Sequence, residues 1–475
     1  MKLSLFIILI IGFLTIPAKS KQHDILTVDG QYLSLKDKNE ELSTEATFFE
    51  HNIRELQSGT TGGVLNITYD GLNAEAKSVI TINRLTGTGS LEMQGTSTNT
   101  LKLFRLADNA TADFYGNLTL SNYSAAWDGA GFYDNVTVLE TGEMSMQGSI
   151  SLDVAGYCAT DSYFIAALGL NGDLSISGLD AAEYIASAAY VYSGHLAEHT
   201  SAIYHNFDFS DYITPEACSL TIDTGGTHHF HGSLLGGLTI IKKGSGTQSF
   251  TGNLGTENNF QALGGTLNLN SNTQAATIII DGAALNNTGD LSAGALQMKD
   301  GTLSVSGNLK ASEASFRGCN TLKAADIEGT EWVLHLQKEH QSQPSLSLSS
   351  ATAGTLDKLE LVYNKAEMLR GWYQLVENSS LMTFEQILSN GTAATTTMDE
   401  GKLLFYLTDG ELTLPRTEVA ELVWLPVSGS WKVGSGHIEG HWAGPDTNSN
   451  FLNGDKVFFR QATEVKLEEN YSHRP

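Results

Sequence analysis

Apolar and polar residues alternate in short bursts along most of this chain, and each burst tends to begin at a glycine. The five-residue pattern Gly, any residue, apolar, polar, apolar starts at Gly63 (GVLNI), Gly89 (GSLEM), Gly116 (GNLTL), Gly142 (GEMSM) and Gly148 (GSISL). It recurs at Gly172 (GDLSI), Gly236 (GGLTI), Gly265 (GTLNL), Gly301 (GTLSV) and Gly410 (GELTL). A turn glycine followed by strict period-two alternation predicts a short strand with one buried face. The early starts at 63, 89, 116 and 142 are separated by 26, 27 and 26 residues, a spacing that suits a unit of short strands and turns. Stacked coils of about 26 residues, roughly 14 of them over the repeat region, follow as the expected architecture. The expected fold class is all-β, a parallel β-helix or solenoid with short loop or helical excursions.

Two stretches depart from the alternation. Ser380–Leu388 offers a Ser cap and apolar residues at 381, 384, 387 and 388, which predicts one short helix. Asp180–His205 is rich in Ala and Tyr and interrupts the repeat, so an irregular excursion, a helix pair or a long loop, is expected over 180–216. At the N-terminus, Lys2, the apolar run Leu3–Ile16 and the small-x-small triplet Ala18-Lys19-Ser20 read as a signal peptide over 1–20. No other apolar run is long enough for a transmembrane helix. The expected organisation is a signal peptide (1–20), a solenoid region (21–420) and a Trp-rich module (421–475) that begins a further repeat unit.

Composition sharpens this picture. The chain has 475 residues, of which only 17% are charged, with 53 Asp+Glu against 27 Lys+Arg and a net charge of −26. Apolar content of 41% is too high for a disordered tail, and the acidic balance repels phosphate backbones, so nucleic acid is not an expected partner. Cys158, Cys218 and Cys319 lie far apart with no CxxC, and their spacing selects no disulfide pair and supports no zinc knuckle.

Leu238, Lys242, Gly244, Gly246, Thr247, Gly252 and Asn253, followed by Gly265, Leu267 and Leu269, fall within residues 236–272. That stretch resembles the autotransporter-associated β-strand repeat, with Asn258-Asn259-Phe260-Gln261-Ala262 standing where the family has T-Y-x-G-x-T. The closing segment, with Leu422-Val423-Trp424, Gly429-Ser430-Trp431, Trp442 and Phe451–Phe459, resembles the stretch that often precedes such a repeat. The resemblance implies a bacterial, exported, surface or outer-membrane-associated passenger wound as a right-handed parallel β-helix. It brings no catalytic residue, no metal and no cofactor. In that family the closing segment leads into another strand repeat. The expectation is therefore that the native reading frame continues with more repeats and an anchor, or that the chain is a truncated or pseudogene product that associates through its C-terminal end.

Several constellations could carry chemistry. His195-Leu-Ala-Glu198-His199 spells HxxEH, the inverted zinc-peptidase motif, with Glu257 as a candidate third ligand. In Thr227–His231 a strand would put His229 and His231 on one face and His228 on the other, and solvated surface histidines are the simpler explanation. Asp446, Asn448, Asn450 and Asp455 suggest a calcium-stabilised turn, but Phe451 and Val457 occupy the positions where an EF-hand needs Gly and Glu. Asp208 and Asp211 with Arg84 and Arg105 are the candidates for polysaccharide lyase or glycosidase chemistry. Tyr184, Tyr190 and Tyr192, or Trp424, Trp431 and Trp442, could stack on sugars, though packing is the commoner fate of such aromatics. The expected function is a non-catalytic structural or adhesive element with an extracellular glycan or a cell surface as its partner; the alternative is a β-helical carbohydrate-active enzyme acting on extracellular glycans.

Overall fold

The computed structural model describes residues 19–39, 48–71, 77–95, 101–122, 135–148, 150–153, 164–177, 189–193, 195–196, 213–349, 352–368 and 371–407, together with five short strands between 421 and 467. Nearly every described segment is a strand, and no α-helix occurs among the described residues. The contacts divide the chain into two compact units, residues 1–221 with 231–238, and residues 222–230 with 239–475.

In the first unit, successive coils stack through parallel ladders. One runs through Phe48–Ser58, Lys77–Ile82, Leu101–Leu106, Asn135–Thr141, Phe164–Leu170 and Ala189–Ser193. A second runs through Gln31–Asn39, Gly63–Gly71, Leu91–Gly95, Leu118–Asn122 and Ile150–Asp153. The starts at Gly63, Gly89 and Gly116 therefore do lie on adjacent coils. The next rung is the copy at Gly148, because the copy at Gly142 gives Met144–Gln147, which pairs with Leu174–Ser177 in another sheet. A shared corner explains the glycines. A β-carbon on Gly116 would collide with the carbonyl of Gly89, and one on Gly148 with the carbonyl of Gly116.

The second unit has a tighter coil. Thr266 pairs with Ala284 and Ala284 with Thr302, while Leu291 pairs with Leu309 and Leu309 with Ile327. Each of those steps is 18 residues rather than the expected 26. One ladder comprises Thr239–Lys243, Asn259–Ala262, Thr273–Asp281, Leu291–Lys299, Leu309–Arg317, Asp326–His335 and Ala353–Val362. The other comprises Thr227–Phe230, Thr247–Phe250, Thr266–Leu269, Ala284–Asn287, Thr302–Val305, Asn320–Lys323 and Leu346–Leu348. Period-two alternation turns Leu267, Leu285, Leu303 and Leu322 inward, where equivalent leucines of neighbouring coils stack fully buried. Burial of each such side chain contributes about 1.5–3 kcal/mol. Size is balanced between rungs: Trp332 stacks on Ala314, and a β-carbon on Gly329 would collide with the Trp332 indole, whose Nε1 donates to Ala311 O at 3.2 Å.

The expected helix at 380–388 is a strand instead. Met382–Ser389 pairs in parallel with the preceding coil, with Gly354 opposite Met382 and Leu356 opposite Phe384. A nine-residue helix is marginal in water, whereas the open edge of Ala353–Val362 offers a row of unpaired backbone groups. The edges then close by reversal. Thr392–Ala393 turns back on Met382–Ser389, and Lys402–Leu407 runs antiparallel to Gly371–Glu377 and to Thr396–Asp399. Short antiparallel edge strands of this kind blunt the template that a solenoid end would present. Beyond them, Glu421–Trp424 lies parallel to Lys456–Phe459 and antiparallel to Trp442–Ala443, and Gly429–Trp431 lies parallel to Val465–Leu467.

The excursion expected over 180–216 is in part regular. Ala189–Ser193 is a rung of the first unit's ladder, and His195–Leu196 pairs antiparallel with Ile213–Thr214. Of the segment 1–20 read from the sequence as a signal peptide, residues 1–18 lie outside the described residues, and Lys19 and Ser20 begin the strand Lys19–Val28.

Candidate functional site

The arginines singled out for lyase-type chemistry are engaged between coils. Arg84 pairs with Asp113 at 2.5 Å and with Glu55 at 3.6 Å, on an exposed surface. Arg105 sits directly opposite Glu140 in the parallel register, and its Nε lies 2.8 Å from the Glu140 carboxylate, which is 1% exposed. One coil further, Gly169 faces Glu140, and on the coil after that Tyr192 faces Gly169. The missing side chain at Gly169 lets Tyr192 reach back so that its hydroxyl donates to Glu140 at 3.3 Å. Burial, then the neighbouring Glu140 charge, pushes the Tyr192 phenol well above its ordinary pKa. A completely buried phenol held neutral beside a paired carboxylate is a structural bracket and not a base open to substrate. Tyr192 is thereby removed from the sugar-stacking candidates. Tyr190 is half-buried on the same strand, and Tyr184, Asp208 and Asp211 lie outside the described residues.

Of the HxxEH motif only the first two residues are described. His195 lies on a strand, and Glu198 and His199 lie outside the described residues. Glu257 is exposed on a turn. In the strand Thr227–Phe230, His228 points inward and its Nε2 lies 2.7 Å from Thr224 Oγ1, which also accepts from Gly226 N at 3.0 Å. His229 faces outward half-buried, and His231 follows the strand, exposed. Among the described residues no three His, Cys, Asp or Glu side chains converge as a metal-ligand set. Asp446, Asn448, Asn450 and Asp455 lie outside the described residues, and Trp424, Trp431 and Trp442 are placed by backbone alone. Cys218 Sγ donates to Leu170 O at 3.1 Å and Cys319 Sγ to Gln343 Oε1 at 3.3 Å, so the two are thiols rather than a bridge. Cys158 lies outside the described residues.

The repeat-like residues at 242–247 build a coil corner. Lys242 is fully buried, and its ammonium donates to the carbonyls of Gly244 at 3.1 Å, Thr224 at 3.4 Å and Lys243. Gly244 has φ of +69° and Gly246 passes so close to the Gly226 carbonyl that no β-carbon fits. Lys242 thus ties two successive corners together, adding a charged donor to carbonyls of which that of Thr224 also accepts from Gly246 N at 2.8 Å.

What the second unit presents outward differs between its two ladders. The ladder through Asp281, Lys299, Arg317 and Ala353–Val362 is charged and laced with ion pairs: Lys299 to Asp281 at 3.2 Å, Lys310 to Glu328 at 2.6 Å, and Lys358 to Glu331 at 2.8 Å and Glu360 at 2.9 Å. The other ladder carries uncharged columns. Thr247, Thr266, Ala284, Thr302 and Thr321 stand in register, and beside them run Asn268, Asn286 and Ser304, ended by Lys323 and preceded in register by the buried Ser249. Asn286 Nδ2 donates to Asn268 Oδ1 at 2.9 Å, and Asn268 Nδ2 to Ser249 Oγ at 3.1 Å, so the amides are aligned along the stack. Asn270, Thr288 and Ser306 add a third, exposed column. The sequence carried this signal as Thr-x-Ser or Thr-x-Asn at 247, 266 and 302, but only the 18–19-residue register shows that those residues share one face.

No protein-family profile matches the chain, and no curated protein matches it. Its fold, an all-β arrangement of parallel stacked coils, stands on the geometry.

Proposed function

We propose that this chain is an exported, surface-associated bacterial β-solenoid that serves a structural or adhesive role without catalysis, of the kind implied by its resemblance to autotransporter passengers. The observation that carries this reading is the use made of polar groups. Arg84, Arg105, Glu140 and Lys242 join one coil to the next, as structural ties do, and the uncharged columns of the second unit form a repeating surface suited to adhesion. A leader-like run at 1–20 supports export, and the acidic net charge agrees with an extracellular setting away from nucleic acid.

The test combines location and turnover. Protease shaving of intact cells should degrade the protein, and the purified chain should release no product from neutral or acidic polysaccharides or, with added zinc, from peptides. Zinc-dependent cleavage abolished by Glu198→Ala would contradict the non-catalytic role, because that change removes the base of the HxxEH motif while keeping both histidines.

A further inference from the structure

We propose that the uncharged face built on Thr247–Phe250, Thr266–Leu269, Ala284–Asn287 and Thr302–Val305 binds a neutral, linear polysaccharide along the stacking direction. The proposal deepens the adhesive reading and rests on it, since it names the ligand class and the face.

Segregation of charge is the first observation. The two ladders of the second unit belong to the same coils, yet the ion pairs of Asp281, Lys299, Lys310 and Glu328 all lie on one, while the outward positions of the other from Thr247 to Ser306 carry hydroxyls and amides, apart from Ala284, and no charge. Solubility alone would be served by charges on both. A face without charge in a chain of net charge −26 offers nothing to a cation and sits in a field that repels a polyanion or a second copy of the same chain. The partner that matches is neutral and rich in hydroxyls.

Periodicity is the second. Asn286 to Asn268 and Asn268 to Ser249 are hydrogen-bonded in line, so their side chains are already ordered and lose little freedom when a ligand arrives. Thr266 and Thr302 present hydroxyls that both donate and accept, two coils apart in one column. From Thr247 to Thr321 the column spans four strand spacings, about 19 Å. A surface that repeats the same polar set at each step fits a polymer better than one small molecule, and it gains strength by adding weak contacts along the chain. Monosaccharides should therefore compete poorly and longer oligomers well.

The experiment is co-sedimentation of the purified full chain with microcrystalline cellulose, chitin and insoluble mannan as neutral polymers, and retardation by polygalacturonate as the anionic comparison. Retention on at least one neutral polymer is expected. It should weaken about tenfold or more in Thr266→Glu/Thr302→Glu. It should persist in Lys310→Gln/Glu328→Gln, which alters the charged ladder. The exposed pair Thr302→Lys/Thr321→Lys is the second probe if the first variant loses its β circular-dichroism spectrum, and the same weakening is expected. Retention on no neutral polymer, tighter binding to polygalacturonate, or equal binding by a folded face variant would overturn the proposal. Sugar released into the supernatant would instead contradict the non-catalytic reading, with the face still judged by its variants. Intact binding by a protein that protease shaving cannot reach would contradict surface location alone.

Discussion

The ring of Tyr192 occupies the space that a β-carbon on Gly169 would need: that carbon would lie 2.5 Å from Cζ and from the hydroxyl oxygen. The vacancy at Gly169 is what brings the phenol within reach of Glu140, two coils away, while Arg105 holds the carboxylate from the other side. Gly169→Ala should therefore displace the ring and cost about 2–3 kcal/mol. Arg105→Met should cost about 3–5 kcal/mol, because it leaves a carboxylate with 1% exposure beside an apolar side chain. Urea denaturation of the full chain measures both, and an unchanged midpoint for either variant would show that the bracket contributes nothing.

At the corner of the second unit, Lys242→Met should destabilise by about 1–3 kcal/mol, the cost of removing a buried charged donor from the Gly244, Thr224 and Lys243 carbonyls. Met keeps the apolar stem, so a loss that Met reproduces reports the ammonium and not packing. The same denaturation experiment reads it, with Lys243→Met, on an exposed neighbour, as the control expected within about 0.5 kcal/mol of the parent.

Acid should loosen two histidine contacts. His340 is fully buried. Gln337 N donates to its Nδ1 at 2.9 Å, so Nε2 carries the proton and donates to Gly318 O at 3.0 Å. Burial lowers its pKa, opposed by the Gly318 hydrogen bond and by the charges of Glu339 and Asp300. His23, 3.1 Å from His51, is lowered by burial and then by His51 and Lys21. With folded pKa values below the unfolded 6.5, the unfolded chain takes up protons first. The stability is whole above about pH 6.5 and is lost as pH falls through the folded values, by at most about 1.4 kcal/mol per pH unit for each group. Thermal melts between pH 7.5 and 4.5 should show this decline, and His340→Gln should flatten part of it.

How far the sequence foretold this architecture depends on the element. Alternation after a glycine located the strands at 63, 89, 116, 265 and 301, because period two follows from a strand with one buried face. It could not say which strand lies beside which. Gly142 and Gly148 carry the same pattern six residues apart and join different sheets. The 18-residue coil is hidden in the glycine pattern because the rung between Gly265 and Gly301 begins Ala284-Leu285-Asn286, without the glycine that marks its neighbours. At 380–388 the apolar spacing served helix and strand alike, and the open edge of the preceding coil decided the outcome. Tyr192 could be recognised as a bracket only once Gly169 was known to lie between it and Glu140.

Stacking of 18-residue coils in the second unit is tested most directly by disulfide trapping in a chain whose Cys158, Cys218 and Cys319 are replaced by Ser. Thr266 and Ala284 are paired outward positions on adjacent parallel strands, about 4.8 Å apart and within the reach of a disulfide. Thr266→Cys/Ala284→Cys should oxidise to near completion in the folded chain, and Thr266→Cys/Ser292→Cys, at the 26-residue spacing, should remain reduced. The reverse outcome, a bridge at 266–292 and none at 266–284, would contradict the coil register on which the uncharged face depends.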